Sequence, residues 1–213
     1  MLKLSKRRVK GNMDRLAKVS DIEFKEMSDI DETLPGHLYN TRNFERFLPT
    51  FVAINSILEA FRDQGKVKEA KKAFVLQIAG GYCQLGSLLD YLGVEHVITD
   101  FARENLMHGK NNGTETGVVA EAGVLPFRDG SVNIVVSDHF LCSNYAFLKV
   151  CNELSILEEI KRVLKQEGLL VISQIHGKLT ENDPFSAPHN KDWAILYDGE
   201  YADKQFAILQ KRK

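Results

Sequence analysis

AFVLQIAGGYCQLGSLLDYLGVEHVITD, residues 73–100, is the stretch on which the fold turns. Its opening run, Ala73 to Ile78, is apolar almost throughout and stops at small residues, as a strand buried on both faces does. Ala79-Gly80-Gly81 then lets the chain turn sharply, and Cys83 to Leu92 carries apolar residues at helical spacing until Gly93 stops it. A second apolar run, His96 to Thr99, ends at Asp100. Strand, glycine turn, helix and strand in so short a span form a right-handed βαβ unit whose two strands lie parallel.

The alternation continues downstream. FARENLMHG (101–109) reads as a short helix ending at Gly109, GVVA (117–120) as a third strand and SVNIVVS (131–137) as a fourth. SILEEIKRVL (155–164) is the next helix and GLLVIS (168–173) the fifth strand. Such an order builds a parallel sheet covered on both faces. WAILY (193–197) and FAILQ (206–210) are joined by DGEYADKQ, too short for a crossover helix, so they pair antiparallel. Upstream, Phe44, Phe47, Leu48, Phe51, Ile54, Leu58 and Phe61 recur at helical spacing and read as a core-facing helix. Pro49 begins or kinks it.

With 213 residues, 44% hydrophobic and 27% charged, the chain has the makings of one globular domain and is neither collagen-like, disordered nor a disulfide scaffold. Lys and Arg (28) balance Asp and Glu (29), so no global charge draws it to nucleic acid or acidic lipid. Cys83, Cys142 and Cys151 are odd in number and form no CxxC pair, which points away from a disulfide framework or a metal site and toward a reducing cytoplasm. No apolar stretch approaches the roughly 20 residues that span a bilayer, and no apolar run backs the basic start. The expected protein is neither secreted nor membrane-embedded.

Charge sets the N-terminus apart. Residues 1–20 carry Lys3, Lys6, Arg7, Arg8, Lys10, Arg15 and Lys18 against Asp14, and the next dozen positions reverse the sign. This is a self-neutralising arm or a solvated extension, and it is expected to be dispensable for folding. Residues 1–42 are accordingly read as an arm and cleft-covering segment, with His37, Tyr39 and Asn40 closing the cleft, and 43–213 as the domain. Gln174 to Asp192, with Pro184 and Pro188, lacks helical periodicity and reads as a lid or a plain loop.

In an open α/β sheet, ligands bind outside the C-terminal ends of the strands. After the first strand, Gln77 to Cys83 is a turn of small residues that serves a structural bend or a cofactor loop equally well. Asp100, about 20 residues beyond the turn, stands where a carboxylate accepts the two hydroxyls of a ribose, or else caps the helix that follows.

Leu125-Pro126-Phe127-Arg128-Asp129-Gly130-Ser131 and Leu157 to Leu170 are more specific. With the flanking strands they resemble the class I S-adenosylmethionine-dependent methyltransferases, above all the small-molecule enzymes with an LPF-x-D-x-S-F-D segment and an E-I-x-R-V-L-K-P-G-G segment. The resemblance covers about residues 73–173, and the closing strand pair matches the family's ending. It implies an α/β, Rossmann-like, doubly wound seven-stranded sheet with an antiparallel last strand, here behind an N-terminal helical extension. It implies S-adenosylmethionine as cofactor, with Gln77, Ala79 and Gly81 at its methionine end, Asp100 on the ribose and Phe101 against the adenine. Glu121 and Ala122 fall on the pair that reads the adenine edge, and Ser137 and Asp138 where the fourth strand lines the reaction centre.

The chain also departs from the family. Gln77 stands for an acid, Ala79 and Cys83 for glycines, Asn133 for Asp, and Gln166-Glu167 for Pro-Gly. A Cβ at Ala79 or Cys83 narrows the cofactor's space, and Gln77 supplies no negative charge near its ammonium.

Methyl transfer asks for alignment and, where the acceptor is a hydroxyl or protonated amine, a base. His139, Tyr145 and His176 follow the fourth and fifth strands and are the candidates, although His139 suits a loop hydrogen bond and His176 a solvent-exposed position equally well. The function expected is methyl transfer to a small molecule by in-line displacement. The alternatives are intramolecular alkylation releasing methylthioadenosine, and a catalytically silent methyltransferase-like binding protein.

Overall fold

The computed structural model describes residues 9–11, 41–65, 70, 72–81, 84–91, 93–111, 116–138, 141, 153–175, 192–201 and 204–212. The elements in chain order are α1 (Thr41–Asp63), β1 (Phe74–Ile78), α2 (Gln84–Tyr91), β2 (Glu95–Asp100), α3 (Arg103–Asn111), β3 (Gly117–Val119), β4 (Val132–Asp138), α4 (Glu153–Val163), β5 (Leu164–Ile175), β6 (Trp193–Tyr201) and β7 (Lys204–Lys211). They build one seven-stranded sheet in the order β3-β2-β1-β4-β5-β7-β6. β1 to β5 pair parallel, and β7 inserts antiparallel between β5 and β6. The expected Rossmann-like, doubly wound α/β sheet is therefore what the chain adopts. The strand order reverses between β1 and β4, which opens a crevice at their C-terminal ends.

Burial explains the strand sequences. β1 and β4, at the centre, have near-continuous apolar runs because helices cover both of their faces, whereas β3 is a short and largely exposed edge. On one face, Ile54, Ile57 and Leu58 of α1 and Leu85 and Leu89 of α2 pack against Val75, Ile134, Val136 and Val171. On the other, Ile156, Ile160 and Val163 of α4 meet Leu76, Val135, Leu170 and Ile172. Alternate residues of each strand serve opposite cores.

Several boundaries differ from the sequence reading. α1 starts at Thr41 and runs through Pro49, because burial of its face outweighs the hydrogen bond a proline removes. α3 continues past Gly109 to Asn111, a glycine inside a helix costing only about 1 kcal/mol relative to alanine. β5 begins at Leu164, directly after α4, and reaches β4's register through an irregularity between Val132 and Ile134. The arm is not wholly solvated: Val9, in a helical stretch at 9–11, is completely buried in the core shared by α1 and β1. His37, Tyr39, Asn40 and the span from His176 to Lys191 lie outside the described residues.

One side chain holds the β3–β4 connection to α4. The Arg162 guanidinium donates to Phe127 O (2.8 Å), Leu125 O (3.0 Å), Asp129 Oδ1 (2.5 Å) and both carboxylate oxygens of Glu159 (2.7 and 2.8 Å). Glu159 Oε1 in turn accepts Leu125 N (2.7 Å), and Arg162 O accepts Gly130 N (2.9 Å). The LPF and EIKRVL segments are thus two halves of a single interlock. The hydrogen bond from Arg162 holds the Glu159 carboxyl below its ordinary value against the opposing effect of burial.

The departures at 133 and 167 are accommodated locally. Asn133 Oδ1 accepts Phe74 N (3.1 Å) and Lys165 Nζ (3.0 Å), tying β4 to the start of β1. Glu167 takes the left-handed conformation, φ 61°, that glycine adopts most readily.

Glu167→Gly is expected to raise stability by about 1 kcal/mol through relief of that backbone strain. This appears as a melting temperature about 2–4 °C higher by calorimetry. Glu159, its folded-state carboxyl lowered, contributes stability that is complete above the ordinary glutamate range and is lost as pH falls through the lower folded value. Glu159→Gln therefore destabilises by about 1.5–3 kcal/mol near neutrality and flattens the acid limb of urea-unfolding stability against pH.

Candidate active site

The C-terminal ends of β1, β2, β4 and β5 meet at the crevice. The turn after β1 is pinned from below: Gly80 N donates to Thr99 O (2.9 Å), and Thr99 Oγ1 donates to Gln77 O (3.1 Å). A Cβ at Gly80 would stand 2.2 Å from Ile98 Cγ2, so a side chain at this position forces the buried Ile98 or the turn to shift. Ala79 and Gly81 both take positive φ, 50° and 54°. The turn keeps the shape of a glycine loop although Ala79 carries a Cβ there, at a cost of about 1–2 kcal/mol.

Asp100, 4% exposed, binds both sides of the crevice. Oδ2 accepts Gly81 N (2.8 Å); Oδ1 accepts Ala102 N (2.9 Å) and Asn105 Nδ2 (3.2 Å) at the start of α3. Asp100 thus forms an Asx-type turn ahead of α3 rather than a cap on the helix's own N–H groups, and with it a bond to the turn after β1 that spacing alone did not announce. A carboxylate offers about four lone-pair sites. Three are used among the described residues, so one on Oδ2 remains.

Around this centre, Phe101 is 61% exposed beside the crevice, Ala122 packs half-buried on the sheet, and exposed Glu121 closes a small bridge to Val124. Ser137 and Asp138 part company because neighbouring residues of a strand face opposite sides. Ser137 Oγ accepts Leu141 N (3.2 Å) on the α4 side. Asp138, on the α1 side, accepts the Ser173 hydroxyl, and Thr50 Oγ1 donates to Ser173 Oγ (2.6 Å) and stands 3.5 Å from Asp138 Oδ1. Thr50 and Ser173 were not singled out in the sequence. The available signal was faint: two polar residues at inward positions of otherwise apolar runs.

Gln77, on the same face of β1, is buried to 2%, and its Oε1 has no hydrogen-bond partner among the described residues. Its amide lies 3.2–3.3 Å from where a Gly80 Cβ would sit, directly beneath the turn. A buried acceptor left open beneath the turn suits a ligand that brings a hydrogen-bond donor. His139, Tyr145 and His176 lie outside the described residues, as do Tyr82 and Cys83.

A doubly wound sheet with an inserted antiparallel strand, a glycine-type turn after β1 and a carboxylate at the end of β2 have the architecture of the class I S-adenosylmethionine-dependent methyltransferases. Residues 76–172 match the family model described as "Methyltransferase domain", and the resemblance seen in the sequence is borne out. Among solved structures, magnesium protoporphyrin IX methyltransferase (ChlM) from Synechocystis, with bound S-adenosylmethionine, is 10% identical with a TM-score of 0.56, covering 81% of this chain and 84% of that one. The methyltransferase in complex with the Haloferax volcanii Trm112 activator is 16% identical with a TM-score of 0.53, covering 73% and 94%. A methyltransferase from Methanosarcina mazei is 18% identical with a TM-score of 0.52, covering 67% and 93%. No curated protein matches the chain in sequence.

Gly80→Ala is expected to separate β1 from β2 at the crevice or to unfold the domain, since the contact it creates is with a buried side chain on the adjacent strand. Thermal unfolding would show a loss of about 1–3 kcal/mol or more.

Proposed function

We propose that the protein transfers the methyl group of S-adenosylmethionine to a small-molecule acceptor by in-line displacement. The observation that carries this reading is the Gly81–Asp100 bond between the β1 turn and the end of β2, which leaves one carboxylate lone pair and the open Gln77 carbonyl oxygen beside the same turn. Asp100 would hold a ribose hydroxyl, Phe101 the adenine face, Glu121 and Ala122 its edge, and Gln77, Ala79 and Gly81 the amino-acid end. When bound, the cofactor supplies an electrophilic methyl on a sulfonium. The chain's own part is to align the acceptor and exclude water, which accounts for a large share of such a rate enhancement. His139, Tyr145 and His176, by their places after β4 and β5, are the candidates for taking the acceptor's proton.

A small acceptor accords with the described residues, which form one sheet and its covering helices without a second gripping domain. A net charge of −1 supports no sequence-independent hold on nucleic acid. No described helix is long and apolar enough to cross a membrane. The unpaired cysteine pattern favours a cytoplasmic setting.

Two measurements test the reading. Asp100→Ala is expected to lower S-adenosylmethionine affinity by about one to two decades, the worth of one charge-assisted hydrogen bond. An equally folded variant that binds normally would overturn the ribose assignment. Incubation of the wild-type chain with S-adenosylmethionine alone is expected to leave it intact, with S-adenosylhomocysteine formed only when an acceptor is added. Methylthioadenosine released without acceptor, and abolished in Asp100→Ala, would replace methyl transfer by intramolecular alkylation.

A further inference from the structure

Two Asp-Gly pairs occur in the chain, Asp129-Gly130 and Asp198-Gly199. Such a pair carries a chemistry of its own. The backbone nitrogen of the glycine attacks Cγ of the aspartate, since no glycine side chain stands in its way. A C–N bond forms, a carboxyl oxygen departs as water, and a five-membered imide results. Water then opens the ring at the original main-chain carbonyl, so that the main chain runs through Cβ and Cγ and the α-carboxyl becomes the side group. The product, isoaspartate, has the composition of the starting residue, and the water released in one step is taken up in the next.

The two pairs are held differently. Asp198 and Gly199 lie inside β6 in register with Ala207 and Phe206 of β7, so a strand ladder fixes their backbone. Asp129 and Gly130 form the turn that leads into β4, and the Asp129 side chain is 81% exposed. Gly130 takes a left-handed φ of 60°, and Ser131 Oγ closes the turn on Arg128 O (2.7 Å). Residue type, turn and exposure all favour the imide at this pair. One residue opposes it. The attacking atom, Gly130 N, donates to Arg162 O (2.9 Å), and the carboxylate under attack accepts from Arg162 Nη1 (2.5 Å). Arg162 thus holds nucleophile and electrophile separately, one with its carbonyl and the other with its guanidinium. That guanidinium is itself anchored by Glu159 and by the carbonyls of Leu125 and Phe127, so it does not follow Asp129 toward the main chain.

We propose that Asp129-Gly130 is a site of isoaspartate formation that Arg162 keeps closed. The modification inserts one methylene into the main chain between the LPF segment and β4 and displaces Gly130 N from Arg162 O, which makes loss of the interlock irreversible. The pair therefore records local opening: it changes only in molecules whose β3–β4 connection has come away from α4. Asp198-Gly199 is the internal reference, because its restraint is the β6–β7 ladder and not Arg162.

Peptide mapping of the full chain after prolonged incubation, with fragmentation that separates isoaspartate from aspartate, tests this. The urea-unfolded chain is expected to form isoaspartate at both pairs, since neither restraint survives there. In the folded wild type the reaction at Asp129 is expected to be at least about tenfold slower, the factor imposed by breaking a charge-assisted bond together with a backbone bond. Arg162→Lys keeps the charge but loses the planar fork. When folded, it is expected to raise isoaspartate at Asp129 about tenfold while Asp198 stays at the wild-type level. Salt at about 1 M screens the exposed ion pair, so it is expected to speed the reaction at Asp129 in the folded wild type and not in the unfolded chain. That measurement stands even where the variant fails to fold. The proposal is overturned if folded wild type reacts at Asp129 as fast as the unfolded chain, or if salt leaves the folded rate unchanged. A folded Arg162→Lys that reacts no faster at Asp129, or that speeds Asp198 equally, also overturns it.

Discussion

The bond from Gly81 N to the Asp100 carboxylate is the contact on which the crevice depends. β1 and β2 pair in parallel over residues 74–77, but parallel pairing leaves the turns beyond the strands free to splay. Asp100 closes them by accepting from the turn after β1 and from the start of α3 at once. That closure brings Gly80 against Ile98 and Gly80 N against Thr99 O, and it sets the left-handed backbone at residues 79 and 81. Every ligand role assigned to the β1 turn follows from this closed geometry.

The frame around the crevice tolerates departures that look serious in the sequence. Ala79 and Glu167 both occupy left-handed conformations, which glycine alone adopts without steric cost. Each costs on the order of 1–2 kcal/mol, and the surrounding pairing imposes the conformation regardless. The Arg162 interlock is one source of that rigidity, since one guanidinium satisfies two backbone carbonyls and two carboxylates across the β3–β4 connection. The segments that most clearly marked the family are therefore fastenings of the fold, which is why they report architecture well and the reaction hardly at all.

Fold and site were legible to different depths. The strands and helices from Phe74 to Val163 stood out because each has a strong local period, two for a strand and 3.6 for a helix, punctuated by glycine. Boundaries slipped where tertiary packing overruled a local breaker, as at Pro49 and Gly109. Asp100 was visible as a capping or binding residue, but how many of its lone pairs remain open depends on Gly81, Ala102 and Asn105 arriving together. Val9 gave no signal at all, lying in a basic stretch whose charges suggested solvent.

The sequence by itself determined that this chain forms a parallel α/β sheet with an antiparallel closing strand, because those properties follow from the order and periodicity of short segments. Only the tertiary structure decided that Thr50, Asp138 and Ser173 form one buried cluster while Ser137, adjacent to Asp138, faces the opposite core. Thr50 lies 123 positions from Ser173 and 88 from Asp138. Residues so far apart carry no local period that links them. Their meeting is set by strand register and by the path of α1 across the sheet, and these are fixed when the whole core packs.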